Sequence, residues 1–194
     1  MSIKSIALGI FCWGICLATW AVTNQSPTSN NCDVSVNKSC PCALQDNDLT
    51  KANLSDIAIL DFANEATVSA YNYNFVNQKT ELQKLSSFFT EQGYGRFIKA
   101  LKESGNDKWV QSKKLIVSAV ATRAPIILQK GLLDGVYSWR VQMPFMATYQ
   151  SASDFSEQIN TVSMLIIRVP TLNSPRGIAI SQFVVKPLVV KPLK

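Results

Sequence analysis

The 194-residue chain contains no histidine. That absence removes Ser-His-Asp and Cys-His catalysis, together with every histidine-bearing zinc site. Acidic side chains are scarce in the second half. Nothing after Glu157 carries a negative charge, while Arg168, Arg176, Lys186, Lys191 and Lys194 follow. Residues 1–66 hold three basic and six acidic side chains, and residues 67–194 hold sixteen and seven, so the net charge of +6 belongs to the later part. Such a half faces an anionic partner or simply water. No basic run is interleaved with aromatics, so there is no nucleic-acid signature. No motif calls for a cofactor or a metal. The apolar fraction of 47% allows one compact domain to form its core without disulfide or metal staples.

A long apolar run occurs at the front. Ile6 to Val22 is seventeen uncharged residues behind Lys4, the pattern of a secretory signal or a membrane anchor. A spanning helix needs roughly 20 apolar residues, so the run is short for an anchor. The small-x-small sites ending at Ala21 or Thr23 are weak for a peptidase, and cleavage and retention both fit. Either way the bulk of the chain is expected outside the cytoplasm, touching the membrane through Ile6–Val22 if the run is retained. Residues 24–53 are rich in Asn, Ser, Asp and Thr and read as a linker. They hold Cys32, Cys40 and Cys42. In an oxidising compartment a structural disulfide from Cys32 to Cys40 or Cys42 fits, with one thiol left over. Intermolecular pairing, a partial soft-metal site or redox use are the alternatives.

Helical periodicity follows. At about 100° per residue, Ile57, Leu60, Val68, Tyr71 and Phe75 fall on one side of a helix spanning Leu54 to Phe75. Ile59, Phe62, Ala63, Ala66, Ala70 and Tyr73 fall on the other. Two apolar stripes predict a helix covered on both sides. Thr80 and Gln83 read as a capping box. The helix they start carries Leu82, Leu85, Phe88 and Phe89 and is interrupted at Gly93. Phe97, Ile98 and Leu101 mark another helix, stopped at Gly105, and Asn106 reads as the cap of a last short turn with Trp109. Asp61 and Glu65, four apart, have the spacing of an acid/base pair. Carboxylates early in a helix also favour its positive end without any chemistry, and that reading is preferred.

The remainder is strand-like. In Val136–Gln150 the odd positions Tyr137, Trp139, Val141, Met143, Phe145, Ala147 and Tyr149 are uncharged, and the even ones include Ser138, Arg140, Gln142, Thr148 and Gln150. Period-2 alternation over this length predicts a strand with one face on a core. So long a strand must curve in a small domain, and Pro144 predicts a bulge, a bend or an edge. Leu115–Thr122 and Ile126–Lys130 read as one bent strand or two around Ala124-Pro125. Lys130–Gly135 reads as a hairpin loop, Ser151–Ser156 as a turn and Ile159–Val169 as a strand. Leu172–Gly177 is a further turn, and Ile178–Val185 the last strand. Helices first and strands second imply an α+β domain, a meander with helices on one face. The prolines of the repeated Lys-Pro-Leu place residues 187–194 outside the sheet, as a flexible basic tail.

Four segments carry a resemblance: FANEATVSAYNYNF (62–75), KKLIVSAV (113–120), GVYSWRVQMPFMATYQS (135–151) and MLIIRVPTLNSPRGIAISQFV (164–184). They resemble the DotI/IcmL/TraM family of inner-membrane components of type IVB secretion and related conjugation systems. The resemblance spans nearly all of residues 54–186. It implies a periplasmic domain with helices packed on a strongly curved four-stranded antiparallel sheet. That is the nuclear-transport-factor-like fold of the VirB-type bitopic subunit. It also implies a non-enzymatic scaffold that binds other secretion-complex subunits and itself, with no catalytic residues. Core members carry a substantial cytoplasmic segment before the membrane helix, and only about five residues precede the apolar run here. The resemblance therefore points to a paralogue sharing the periplasmic domain. The other reading is a periplasmic protein binding a small ligand in the cone of the curved sheet; a closed apolar cavity holding Asp61 or Glu65 would favour it.

Overall fold

Ser55 opens the first helix. Its hydroxyl accepts the Ala58 amide at 3.3 Å, and Asp56 puts a negative charge into the first turn. Helix α1 then runs Asp56–Ala70 in the computed structural model, which describes residues 48–188. The apolar run Ile6–Val22, Cys32, Cys40, Cys42 and the tail beyond Leu188 lie outside the described residues. Helices α2 (Gln78–Leu85), α3 (Glu91–Glu103) and α4 (Asn106–Lys113) follow, with a 3-10 turn at Ser86–Phe88. Six antiparallel strands form one sheet: β1 (Tyr73–Asn74), β2 (Ile116–Ala121), β3 (Ile126–Leu133), β4 (Val136–Gln150), β5 (Phe155–Arg168) and β6 (Ile178–Pro187). Their order is β1-β2-β4-β5-β6, with β3 pairing β4 beyond the end of β2.

The sheet is strongly curved, as expected, but has six strands rather than four. Two differences account for the count. The two residues of β1 are too few to carry a periodicity, and the segment around Ala124-Pro125 divides β2 from β3. Along β4, Trp139, Val141, Met143, Phe145, Ala147 and Tyr149 are all buried, and Tyr137 half-buried, as the alternation predicts. They interdigitate with Val162, Met164 and Ile166 of β5 under α1. Pro144 neither bulges nor shifts the ladder to β5, which is continuous from Ser138 to Gln150. On its other side β2 ends opposite Phe145 and β3 begins opposite Gln142. The Pro144 carbonyl accepts the Thr122 amide there at 3.1 Å, and the missing N–H falls where no strand needs it. The hairpin from β3 is shorter than expected. Asp134 and Gly135, with φ of 53° and 81°, make a two-residue turn, and Lys130–Leu133 belongs to the strand.

The helical half departs from expectation in its connections. Helix α2 begins before Thr80, so Thr80 and Gln83 do not form a capping box. Instead Asn74 and Asn77 exchange bonds, each amide donating to the other's side-chain oxygen at 2.7 and 3.0 Å. The break between helices falls at Phe89–Thr90 rather than at Gly93. The Thr90 hydroxyl caps α3 by accepting the Gly93 amide at 3.0 Å, and the Thr90 amide bonds to Ile180 of β6. Gly105, at φ 73°, ends α3 as predicted and also precedes α4, so Asn106 is a helical residue and not its cap. Helix α1 is fully covered along Ile59, Phe62, Ala63, Ala66 and Ala70. Its other stripe is covered in part: Leu60 and Val68 are half-buried, Leu60 packs against the core, and the Tyr71 ring lies 4.9 Å from Phe145. Ile57 is 72% exposed although Ile59 in the same turn is fully buried, and the neighbouring Asp56 pairs with Lys130 of β3 at 2.6 Å.

Pro187 closes β6, two residues beyond the expected end of that strand. The amide of the next residue, Leu188, donates to Ile159 of β5, so the Pro187 nitrogen faces away from the ladder and costs it no bond. Ahead of α1, the Leu49 carbonyl accepts the Tyr137 amide at 2.8 Å, and Asn53 Nδ2 donates to Arg176 at 2.9 Å. The end of the compositional linker is thereby tied to the sheet.

Candidate interaction surface

A ligand cone would require space inside the curve of the sheet. Trp139, Val141, Met143 and Phe145 have no exposed surface, and their side chains fill it. At the open end lies a recess of about 390 Å³ between Tyr71, Asn106, Trp109, Tyr149 and Asn160. The Trp109 and Tyr149 rings sit 4.9 Å apart, and Asn106 Nδ2 donates to the Tyr149 hydroxyl at 3.4 Å. Burial pushes the Tyr71 and Tyr149 hydroxyls above the ordinary tyrosine range. No carboxylate lines this recess. Asp61 and Glu65 are exposed on α1, where Glu65 accepts Arg176 Nη1 at 2.7 Å. The sequence-level acid/base pair thus sits in water, with one member already in an ion pair.

The outer face of the sheet is a different matter. Cross-strand register places Val120, Met146 and Ile159 in one row. Leu188 bonds on beside Ile159, and Pro144 lies in the next row opposite Thr161. Val120, Ile126, Ile159 and Leu188 are exposed. An open groove of about 600 Å³ runs beside Val120, walled by Thr122, Arg123 and Ile126 on one side and by Ile159 and Leu188 on the other. Strand β3 adds an edge that no strand pairs among the described residues, carrying exposed Ile126, Leu128, Leu132 and Leu133. An open apolar edge beside an apolar outer face is a surface that soluble monomers avoid. Sequence reasoning expected exposed apolar surface or strand edges but did not name the residues. The usable signal was Pro144 and Met146 interrupting the polar phase of β4, and Phe155, Ile159, Leu165 and Ile167 doing so in β5.

The class these features define is a helix-braced, curved-sheet domain with a filled interior and an apolar outer face. The family follows from the comparisons. Residues 43–187 match the model of the type IVb secretion system inner-membrane complex component, DotI/IcmL. The chain belongs to this family. The solved periplasmic domain of DotI is 62% identical, with a TM-score of 0.69 over 71% of this chain and 99% of that one. A periplasmic fragment of TraM is 24% identical, with a TM-score of 0.64 over 69% and 98%. An IcmL-like type IV secretion system protein from Legionella pneumophila subsp. pneumophila str. Philadelphia 1 is 22% identical, with a TM-score of 0.64 over 74% and 99%. The last two share the fold. A comparison with curated proteins finds no match. The described domain is homologous to the periplasmic domains of inner-membrane secretion subunits, and the expected fold and location hold.

Proposed function

We propose that the chain is a non-enzymatic scaffold of a type IVB secretion inner-membrane complex, binding neighbouring subunits and further copies of itself through its sheet. The observation that carries this reading is the 62% identity to the DotI periplasmic domain across 99% of that domain. The filled interior and the solvent-exposed Asp61 and Glu65 support it over the ligand-cone alternative. In this reading the open edge of β3 and the outer face are contact surfaces and the helices brace the curve. The test is size-exclusion chromatography with light scattering on residues 44–194, paired with pull-down against the inner-membrane complex. Oligomers and co-purifying subunits are expected. A strict monomer that retains no subunit would end the proposal. Complementation of a strain lacking DotI separates a core subunit from a paralogue: restored secretion marks the former.

A further inference from the structure

The outer groove is cationic as well as apolar. Arg123 forms part of its wall, Lys186 stands opposite Thr161 at its floor, and Arg140 lies on the same face two residues from Gln142. Among the described residues none of these three is ion-paired, whereas Lys84, Lys113, Lys130 and Arg176 all are. Among the outward-facing residues of β4, β5 and β6 the one acid is Glu157, which does not line the groove. The charge pattern selects the occupant. A second copy docked face to face would set Arg123, Arg140 and Lys186 against themselves. The chain's own tail brings Lys191 and Lys194 and no acid. A bilayer presents a flat surface, and the apolar floor is recessed between Arg123 and Leu188.

We propose that this groove receives a short apolar segment flanked by Asp or Glu, supplied by another subunit of the assembly. Apolar side chains would cover Ile126, Pro144, Ile159 and Leu188, while the rim cations fix register and speed encounter. The proposal rests on the scaffold reading and adds to it the site and the chemistry of the partner. The test uses the full chain in cells, with a benzophenone side chain replacing Ile159 in the groove, Leu132 on the β3 edge or Gln92 on α3. The Ile159 probe is expected to capture a peptide of another subunit, apolar and bordered by acids. Its yield should fall about tenfold in an R123E/K186E double variant and about threefold in R123Q/K186Q, with the Leu132 product unchanged. Both altered positions are exposed, and an unchanged Tm excludes misfolding. Capture of lipid, of a second copy or of residues 189–194 would overturn the proposal, as would indifference to charge reversal or no product at all. Silence at Ile159 with a subunit captured at Leu132 defeats the groove alone; silence at all three defeats the scaffold reading too.

Discussion

At Gly93 the first turn of α3 meets the carbonyls of β6. A Cβ there would stand 2.5 Å from the Ile180 oxygen and 3.0 Å from that of Ser181, and both are backbone atoms that cannot swing aside. Gly93→Ala is therefore expected to cost about 1–3 kcal/mol as the helix is pushed off the strand. Gly95, two residues on, has open space around its Cβ position, and Gly95→Ala should stabilise by about 0.5–1 kcal/mol through helix propensity. Urea unfolding of the two variants checks both signs in one helix. Equal effects would mean that propensity, not the contact with β6, governs the site. Tyr73 poses a related question, for its hydroxyl is buried with the Gln78 side chain beside it. Tyr73→Phe should shift stability by no more than about 1 kcal/mol, downward if the Gln78 contact holds the hydroxyl and upward if burial dominates. The tightness at Gly93 is not legible in the sequence, because it is created by a strand far along the chain.

Among the elements, legibility follows periodicity. The alternation from Tyr137 to Tyr149 specified the buried face of β4, and the Ile59–Ala70 stripe specified the inner face of α1. Motifs without periodicity misled: Thr80 and Gln83 have the spacing of a capping box, yet the Asn74–Asn77 exchange starts the helix earlier. Pro144 announced a break in pairing but not which neighbour would yield. The junction of α1, β1 and β4 also carries a pH signature. Burial first, and then mutual proximity, raises the hydroxyl pKa of Tyr71 and Tyr73, and burial raises that of Tyr149. A raised pKa means that the folded state holds these protons more tightly than the unfolded chain. Their contribution is whole below the unfolded tyrosine value of about 10 and is lost as the pH climbs beyond it. Lys130, raised by its hydrogen bond to Asp56, acts in the same direction but is exposed and screened. Unfolding free energy should thus be level from pH 8 to about 10 and fall above it. A Tyr71→Phe/Tyr149→Phe variant should show a shallower fall; an unchanged slope would place the alkaline sensitivity elsewhere.

For the whole molecule, the fold was far more legible than its docking surfaces. A core face is written as a repeat, whereas an interface is written only as interruptions of the polar phase, and Pro144 and Met146 in β4 with Phe155, Ile159, Leu165 and Ile167 in β5 keep no regular period. Strand β3 shows the difficulty: IILQKGLL resembles a buried strand in composition, yet its residues are exposed or half-buried, and among the described residues no strand pairs its outer side. Folding of the domain alone does not explain keeping Leu128 and Leu132 in water, at 52% and 63% exposure, since lysine there would protect the edge. This gives a test that separates stability from assembly. Leu128→Lys/Leu132→Lys should shift unfolding free energy by no more than about 0.5 kcal/mol, as exposed substitutions generally do. The same variant should reduce the oligomer seen by light scattering and weaken secretion in cells. Loss of assembly with an intact Tm would identify β3 as a contact edge. Full assembly and secretion despite two added charges would exclude that edge and leave the outer face as the place where this subunit meets its neighbours.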